Sequence, residues 1–351
     1  MLTVAAQSFL GSQGGIARVC ELTARVAVEE GHPLSLLSVE NEGGPFEKSG
    51  LWTGFGGSRA RFVAACIRRE LGGARMFYDQ LGTARAHLLP AKLASRCGVW
   101  IHGIEVWDQL RPDRLRAARR AGFLLANTNY TRQHAAEYDS LFESASVCWL
   151  GTGDDELPAA GRAGLDGPPR VLIVGRIDNA AYKGHRELIE AWPDVVGAVP
   201  GARLTVVGTG PTFEKHKRLA AASSAAGFID LVGFVPDQAL PAYWSSSVVF
   251  AMPSRGEGFG LAYIEAMRWG VPTIASLHDA GQEINVHGET GLNVDLGRPG
   301  DLTDALIELL RNRDLAARMG AAGQQRWRQH FCYSAFRTRF SRQLTRFLEC
   351  T

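Results

Sequence analysis

The chain has 351 residues, of which 46% are hydrophobic and 21% charged, and its formal net charge is +2. This length favours two domains of ordinary size, each able to bury a core of its own. Because no run of about 18 apolar residues is present, we expect no membrane-spanning helix, and we expect no secretory signal. The six cysteines lack C-x-x-C spacing, which predicts reduced thiols in a cytoplasm and no zinc site.

Apolar strand-like runs alternate with helical stretches along the chain, which predicts two α/β domains with parallel sheets. The first predicted strand is Leu2–Ala6, and a glycine loop, residues 12–18, then enters a helix that ends near Gly31. A later strand ends in His102, at the edge where open parallel sheets bind ligands. His102 is therefore a candidate site residue, although a lone histidine is more often structural. Trp107 either stacks on a ligand or is a buried aromatic.

Positive charge is concentrated between residues 56 and 120, where 13 Lys and Arg against 5 Asp and Glu give a local charge of +8. One predicted helix holds five of these cations: Arg111, Arg114, Arg116, Arg119 and Arg120. This region either docks on anionic lipid, where each cation is worth about 1 kcal/mol, or is a solvated face of an arginine-rich protein. Nucleic acid is not expected as a partner, because no aromatic platform or known binding motif accompanies the charge.

The break between the domains is predicted in residues 152–169, a stretch rich in Gly, Ala, Asp and Pro without periodic apolar positions. We therefore assign residues 1–155 and 156–330 to two Rossmann-like domains. The remaining residues, 331–351, are predicted to form an amphipathic helix.

Two cations flank a short loop early in the second domain. An apolar strand runs to Gly175, and Arg176 and Lys183 follow on either side of a loop that leads into a helix. The chain has five lysines against 33 arginines, so a lysine here is an exception. Two fixed cations stabilise the charge that builds up on a departing diphosphate. The alternative is that both are solvated loop residues.

The next two strands also end in glycines. The first leads into Gly208 and Gly210, but Phe213 stands where the dinucleotide fingerprint G-x-G-x-x-G requires its third glycine. We interpret this turn as a loop lining a nucleotide pocket, with Gly208 and Gly210 close to phosphate or base. The following strand ends at Gly233.

A strand, a glycine turn and a helix are predicted in residues 248–270. The apolar run 248–252 is typical of a strand buried in a parallel sheet, and Pro253 ends it. Glycines at 256, 258 and 260 allow close backbone approach, and an apolar helical pattern then runs from Leu261 to Trp269. This arrangement directs N–H groups and the positive end of a helix dipole at an anion or a polar ligand.

Two glutamates lie in this segment, Glu257 in the turn and Glu265 inside the apolar helix. A lone buried carboxylate costs several kcal/mol, so we expect a hydroxyl-rich ligand or a cation as the partner. Read alone, the two could also be ordinary surface glutamates, or the general acid and base of a hydrolase.

The segment resembles the donor-site signature of retaining glycosyltransferases of the GT-B fold, in the family 4 group. That signature has two glutamates separated by seven residues, preceded by Pro-Ser and followed by Gly-x-Pro. The Gly-Arg and Lys-Gly pairs at Arg176 and Lys183 are similar to the family's diphosphate site. The resemblance implies two Rossmann-like domains facing a central cleft, 1–155 binding the acceptor and 156–330 the donor. The terminal helix, 331–351, would cross back and pack on the first domain.

The resemblance also implies roles for single positions. Glu257 would contact hydroxyls of the transferred sugar and Glu265 the ribose, while His102 lies beside the reacting sugar. Arg176 and Lys183 would stabilise the diphosphate. The further donor-binding positions are Gly14, Gly15, Gly208, Gly210, Gly233, Gly258, Phe259, Gly260 and Leu261.

On the acceptor side, Thr128 stands where many relatives have a serine, and it joins Trp107 as a candidate. The implied reaction moves a hexose, with mannose favoured, from a GDP- or UDP-hexose to a hydroxyl of a glycan or lipid-linked acceptor, with retention. No cofactor is expected, and no metal, because no Asp-x-Asp motif is present. The resemblance is strongest to bacterial enzymes of exopolysaccharide or lipid-linked glycan synthesis. We therefore expect a cytoplasmic protein, peripheral on the inner face of the plasma membrane.

Two classes of function are alternatives to a glycosyltransferase. A dehydrogenase with two Rossmann-like domains needs a complete glycine fingerprint, which this chain lacks. A non-catalytic nucleotide-sugar or glycan-binding protein on the same fold is disfavoured by the intact Glu257, Glu265, Arg176 and Lys183. Within the glycosyltransferase reading, UDP-glucose or another UDP-hexose is the alternative donor.

Overall fold

The chain divides into two compact units, the first formed by Met1–Gly153 with Tyr333–Thr351 and the second by Asp154–Cys332. The structure, a computed structural model, describes residues 1–41, 44–88, 96–103, 105–107, 110–158, 167–178 and 183–349. Residues 159–166 of the predicted domain break lie outside this described part. Each unit is therefore considered by itself.

The described part of the first unit contains a sheet of seven parallel strands. They are β1 (Leu2–Ala6), β2 (Leu34–Ser38), β3 (Trp52–Gly54), β4 (Arg75–Tyr78), β5 (Cys97–Ile101), β6 (Phe123–Ala126) and β7 (Ser146–Val147). Its helices before the linker are α1 (Gly15–Glu29), α2 (Arg59–Leu71), α3 (Leu81–Ala84), α4 (Pro112–Arg120) and α5 (Asn129–Ala136). The sheet order is β3-β2-β1-β4-β5-β6-β7, so the strand order reverses between β1 and β4.

Among the described residues of the second unit, six parallel strands form one sheet. They are β8 (Arg170–Val174), β9 (Arg203–Val207), β10 (Ile229–Gly233), β11 (Val249–Ala251), β12 (Thr273–Ser276) and β13 (Gly291–Val294). The helices are α6 (His185–Ala198), α7 (Phe213–Ala221), α8 (Leu240–Ser245), α9 (Leu261–Arg268), α10 (Gly281–Ile284), α11 (Asp301–Arg311) and α12 (Arg313–His330). The order β10-β9-β8-β11-β12-β13 reverses between β8 and β11. Ligands of open α/β sheets bind at such a switch point, beyond the carboxyl ends of the strands.

These sheets explain the apolar runs of the sequence. Strands β1, β2, β5 and β6 are buried along their whole length, as expected for parallel strands covered on both faces. The predicted class, α/β with two parallel-sheet domains, is confirmed. Within the described part of the chain, no helix has the length and apolarity needed to cross a membrane.

The last helix, α13 (Tyr333–Glu349), belongs to the first unit. Its buried residues recur every three or four positions and are Tyr333, Phe336, Phe340, Leu344 and Phe347. The Phe340 ring stacks on Trp100 of β5 at a centroid distance of 5.8 Å and meets Phe77 of β4 edge to face at 5.9 Å. At the start of the helix, the Tyr333 hydroxyl donates to Glu29 Oε2 over 2.8 Å. Aromatic packing thus ties the end of the chain to the first sheet.

Replacing Phe340 by Ala removes a ring that is fully buried in this cluster. We expect the free energy of unfolding to fall by about 3 to 5 kcal/mol, because lost burial is combined with a new cavity. Denaturant unfolding followed by circular dichroism measures the change. The control, Thr345→Ala on the exposed face of the same helix, should stay within about 0.5 kcal/mol of the unmodified chain. Similar losses for the two variants would contradict this packing.

Candidate functional site

A lysine and a glutamate form an ion pair at the switch point of the second unit. Lys183 follows the loop after β8, Glu257 follows β11, and these two strands pair with each other. Lys183 Nζ donates to Glu257 Oε2 over 2.5 Å, and the two side chains are 16% and 18% exposed. The sequence predicted either a hydroxyl-rich ligand or a cation as the partner of Glu257, and in the structure its partner is the Lys183 cation.

Two glycines, which lack side chains, allow the Lys183 and Glu257 segments to come close enough for this ion pair. Gly184 has φ +86°, and a Cβ there would lie 2.5 Å from the carbonyl oxygen of Pro253. The loop after β8 thus approaches the end of the β11 segment backbone to backbone. A Cβ on Gly175 would lie 3.0 Å from Lys183 Cδ, so the lysine chain passes over the place where a side chain would stand.

The predicted strand, glycine turn and helix are present around Glu257. The turn, residues 256–260, which we call the Glu257 turn, joins β11 to α9. Gly260 precedes α9 with φ +81°, where a Cβ would lie 2.4 Å from the Tyr263 ring. The Phe259 side chain is buried and meets Phe331 edge to face at 6.0 Å, and the predicted contact of its backbone with a donor stays a prediction. Gly258 is buried in the turn, and Leu261 is the first residue of the helix.

Glu265 lies on α9, which buries Tyr263, Ile264, Ala266 and Met267, and Glu265 itself is half-buried. Its predicted contact with ribose stays a prediction.

Arg176 lies on the surface after β8. Its side chain is 68% exposed, and its Nε is 3.4 Å from Asp178 Oδ2. Residues 179–182, between Arg176 and Lys183, lie outside the described part of the chain. The structure thus places Lys183 in an ion pair of the site and Arg176 on the exposed rim of the same strand end.

The glycines after β9 and β10 have a structural explanation. A Cβ on Gly208, where φ is +138°, would lie 1.9 Å from the Gly175 carbonyl oxygen, and one on Gly210 would lie 2.3 Å from that of Ile177. The N–H of Gly208 donates to the Gly233 carbonyl over 2.8 Å. The loops that follow β8 and β9 therefore pack directly against each other, and the end of β10 is hydrogen-bonded to the second of them. Contact of Gly208, Gly210 and Gly233 with phosphate or base remains a prediction.

In the first unit, His102 directly follows β5, as the sequence predicted. Its Nε2 lies 2.7 Å from the carbonyl oxygen of Asp79, which can only accept, so this nitrogen carries the proton. Burial lowers the pKa of His102, which keeps the ring neutral. At the same carboxyl edge of the parallel sheet, Gly14 and Gly15 are exposed at the amino terminus of α1, where backbone N–H groups lack helical partners. The ligand roles of all three stay predictions.

The two acceptor-side candidates, Trp107 and Thr128, both have buried side chains. Trp107 is 5% exposed, and its ring is met edge to face by Tyr130 and His134 at 5.6 and 5.5 Å. Thr128 is fully buried, and its hydroxyl caps α5 by accepting the Thr131 N–H over 3.0 Å. Trp107 thus matches the buried-aromatic alternative and Thr128 acts as a helix cap, while their acceptor contacts stay predictions.

Sequence reasoning missed Asp279, a buried carboxylate under the Glu257 turn. It lies between β12 and α10 and bonds to backbone N–H groups of the turn. A second missed carboxylate, Asp79, directly follows β4, and its side chain accepts the N–H of Gln7 over 2.8 Å. Burial raises the pKa of both carboxyls to about 7. The one available signal was an acidic residue soon after a short, mostly apolar run, 76–78 for Asp79 and 271–277 for Asp279.

Comparison with known proteins decides the family. The model of the family "Glycosyl transferases group 1" matches residues 161–326. A GDP-mannose-dependent alpha-(1-6)-phosphatidylinositol monomannoside mannosyltransferase of Mycolicibacterium smegmatis is 31% identical over 288 residues, which cover 75% of this chain and 74% of that protein. The chain belongs to the group 1 glycosyl transferases. This is the family 4 group that the donor-site signature indicated.

A second relative in this glycosyltransferase family, of the same name, comes from Mycobacterium tuberculosis. It is 35% identical over 254 residues, which cover 66% of this chain and 65% of the relative. The chain thus spans about two thirds of the length of this curated relative.

Solved structures show the same GT-B fold. Anabaena HepE, crystallised with UDP and glucose, superposes with a TM-score of 0.81 at 17% identity, covering 98% of this chain and 99% of HepE. Sucrose-phosphate synthase of Thermosynechococcus elongatus gives a TM-score of 0.80 at 19% identity, with both chains fully covered. At these identities the likeness establishes the fold, and the argument for function comes from the site and the relatives.

The structural explanation of Gly208 can be tested by Gly208→Ala. We expect the variant to lose at least about 2 kcal/mol of unfolding free energy, because its Cβ meets a carbonyl oxygen and its φ disfavours a side chain. Gly227→Ala is the matched control, since a Cβ there has no atom within 4 Å. Thermal unfolding without ligand measures both. A Gly208→Ala chain that is as stable as the unmodified one would contradict the explanation.

Proposed function

We propose that the chain transfers a hexose, with mannose favoured, from a nucleotide diphosphate sugar to a hydroxyl of a lipid-linked or other glycan acceptor. The observation that carries this proposal is the Lys183–Glu257 pair at the switch point, with its two charges 2.5 Å apart. A fixed cation such as Lys183 can bind a phosphate, and a carboxylate such as Glu257 can accept hydrogen bonds from sugar hydroxyls. The pair can therefore bind both the diphosphate and the sugar of such a donor. Membership of the group 1 glycosyl transferases supports the reaction class.

The printed names of the mycobacterial relatives support the choice of donor and acceptor. Both relatives use GDP-mannose and act on a phosphatidylinositol mannoside. We therefore favour GDP-mannose over a UDP-hexose, and a lipid-linked acceptor over an exopolysaccharide.

In the proposed mechanism, Lys183 and Arg176 stabilise charge on the departing diphosphate, while Glu257 orients the sugar and Glu265 the ribose. Without ligand, Lys183 and Glu257 neutralise each other. A phosphate that takes Lys183 releases the Glu257 carboxylate for the sugar hydroxyls, so binding of the two halves of the donor is coupled. We further propose retention at the anomeric carbon by a front-face path without a protein nucleophile, and activity that needs no metal.

The test compares donor turnover in the unmodified chain, Glu257→Gln and Lys183→Gln, with GDP-mannose and UDP-glucose supplied in parallel. We expect each substitution to lower turnover about 10²- to 10³-fold, because each removes a fixed charge that acts on the reacting donor. Glu190→Gln is the control, since Glu190 is also ion-paired, to Arg186, but on the exposed face of α6. It should keep full activity.

Three results would count against the proposal. Turnover of Glu257→Gln within about threefold of the unmodified chain would contradict the role of Glu257. Binding of the donor without hydrolysis or transfer would favour the non-catalytic alternative. Loss of activity in a chelator, restored by a divalent cation, would contradict metal independence, and an inverted anomer seen by NMR would contradict retention.

The charge on the first unit supports a peripheral membrane location, which we also propose. On α2, Arg59, Arg61 and Arg68 are exposed, and Leu71 at its end is 76% exposed. An amphipathic helix with cations and an apolar end can lie on an anionic lipid surface. By contrast, Arg111 and Arg119 of the α4 region are partly neutralised by Asp113 and Asp139. Lys92, which also belongs to the basic region, lies outside the described residues.

Co-sedimentation with phosphatidylserine vesicles tests this location. Changing Arg59, Arg61 and Arg68 together to Gln should weaken binding roughly 100-fold, since each cation near the surface is worth about 1 kcal/mol. The control makes the same charge change on exposed residues of α7 in the second unit, Lys215, Lys217 and Arg218. Equal losses in both triple variants would show attraction by overall charge and contradict docking through α2.

A further inference from the structure

Asp279 is enclosed by hydrogen-bond donors. Its carboxylate is fully buried, and Oδ2 accepts the Ser254 hydroxyl at 2.5 Å, the Glu257 N–H at 2.9 Å and the Gly256 N–H at 3.1 Å. The other oxygen, Oδ1, accepts the Gly281 N–H at 2.9 Å. Two consecutive N–H groups of the Glu257 turn therefore end on one carboxylate oxygen.

The residue after Asp279 also bonds to a carbonyl group of the Glu257 turn. The N–H of Ala280, next to Asp279, donates to the Glu257 carbonyl over 3.1 Å. Glu257 is thus bonded through both its N–H and its carbonyl to residues 279 and 280, and its side chain alone is left for Lys183 or a ligand. A displacement of Asp279 must therefore displace the Glu257 backbone.

We propose that Asp279 is the positioning residue of the donor site, holding the backbone of Gly256 and Glu257 so that the Glu257 carboxylate keeps its place beside Lys183. This inference rests on the proposed function. Asp279 touches no ligand, because its side chain is sealed under the turn. Its effect on the reaction is exerted entirely through Glu257.

The ionised form of Asp279 is the one that the site uses, since all four bonds to its oxygens come from donors. Burial raises the pKa of this carboxyl from 3.8 to about 7, while the bond from Ser254 lowers it. The charged or titratable groups facing it are Glu257 in the turn and Tyr263 on α9, with Lys183 acting through Glu257. When pH falls through about 7, the added proton removes an acceptor from the turn.

Activity and stability should then respond in opposite directions. The folded-state pKa lies above the ordinary value, so the folded chain binds this proton more tightly than the unfolded chain between pH 3.8 and about 7. Lowering the pH through this window therefore increases the Asp279 contribution to the free energy of unfolding. The same protonation removes a hydrogen-bond acceptor from the Glu257 turn, which should lower activity. Asp79 of the first unit also has a pKa raised to about 7, so the Asp279 contribution is obtained by difference from a variant.

The first experiment measures GDP-mannose turnover against pH for the unmodified chain and Asp279→Asn. We expect the unmodified chain to lose turnover as pH falls through about 7. The Asn variant should have kcat roughly 100-fold lower at pH 8, as for a misplaced catalytic group, and no acid limb of this origin. GDP affinity, read from the thermal shift, should change far less than kcat. Asp194→Asn, on the exposed face of α6, should match the unmodified chain.

The second experiment uses Ser254→Ala, which keeps the carboxylate and removes one donor to it. Because the Ser254 hydroxyl lowers the Asp279 pKa, its loss should move the acid limb of turnover to higher pH. A purely structural role for Asp279 predicts no such movement. An unmoved limb in Ser254→Ala overturns the inference, as does a folded Asp279→Asn chain with unmodified turnover and pH profile. If the unmodified chain turns over no nucleotide sugar at any pH, the proposed function fails instead.

Discussion

The candidate site depends on one backbone contact, the approach of Gly184 to the carbonyl of Pro253. The two segments leave β8 and β11, which pair with each other at the point where the strand order of the second sheet reverses. A parallel sheet delivers both loops to the same edge, and the glycine lets them close on each other. Lys183 and Glu257 are separated by 74 positions in the chain, yet their charged atoms lie 2.5 Å apart as a result.

Two carboxylates at this edge are stabilised in different ways. Glu257 has a cation for its partner and keeps some contact with solvent, whereas Asp279 is sealed and has four hydrogen-bond donors. A buried carboxylate without such partners would cost several kcal/mol. The arrangement suits two different tasks, since the sealed group bonds to the backbone of the turn and the proposed donor contacts fall to the more accessible pair.

Local patterns in the sequence predicted much of this architecture. The parallel α/β class, the strand, turn and helix around Glu257, and the candidate status of Lys183 all follow from runs of fewer than thirty residues. The contact between Glu257 and Asp279 does not, because it joins residues 22 apart across a strand and no periodicity marks it. The burial of Trp107 and Thr128 does not follow from residue type either, since an aromatic and a hydroxyl serve equally well at a ligand or as a core ring and a helix cap.

The glycines of the second unit show why residue type alone is a weak indicator of a ligand site. Gly208 and Gly210 stand in the kind of turn that binds phosphate, yet each is already required by a carbonyl oxygen of the neighbouring loop. Loop packing alone would require Gly208 and Gly210, even in a protein that bound no ligand. The Lys183–Glu257 pair differs, because packing against other residues does not require opposite charges at the mouth of a strand pair, where water is available to both. The case for a donor site in this member of the group 1 glycosyl transferases therefore depends on the charged pair and on Asp279, the buried group proposed to hold its carboxylate in place.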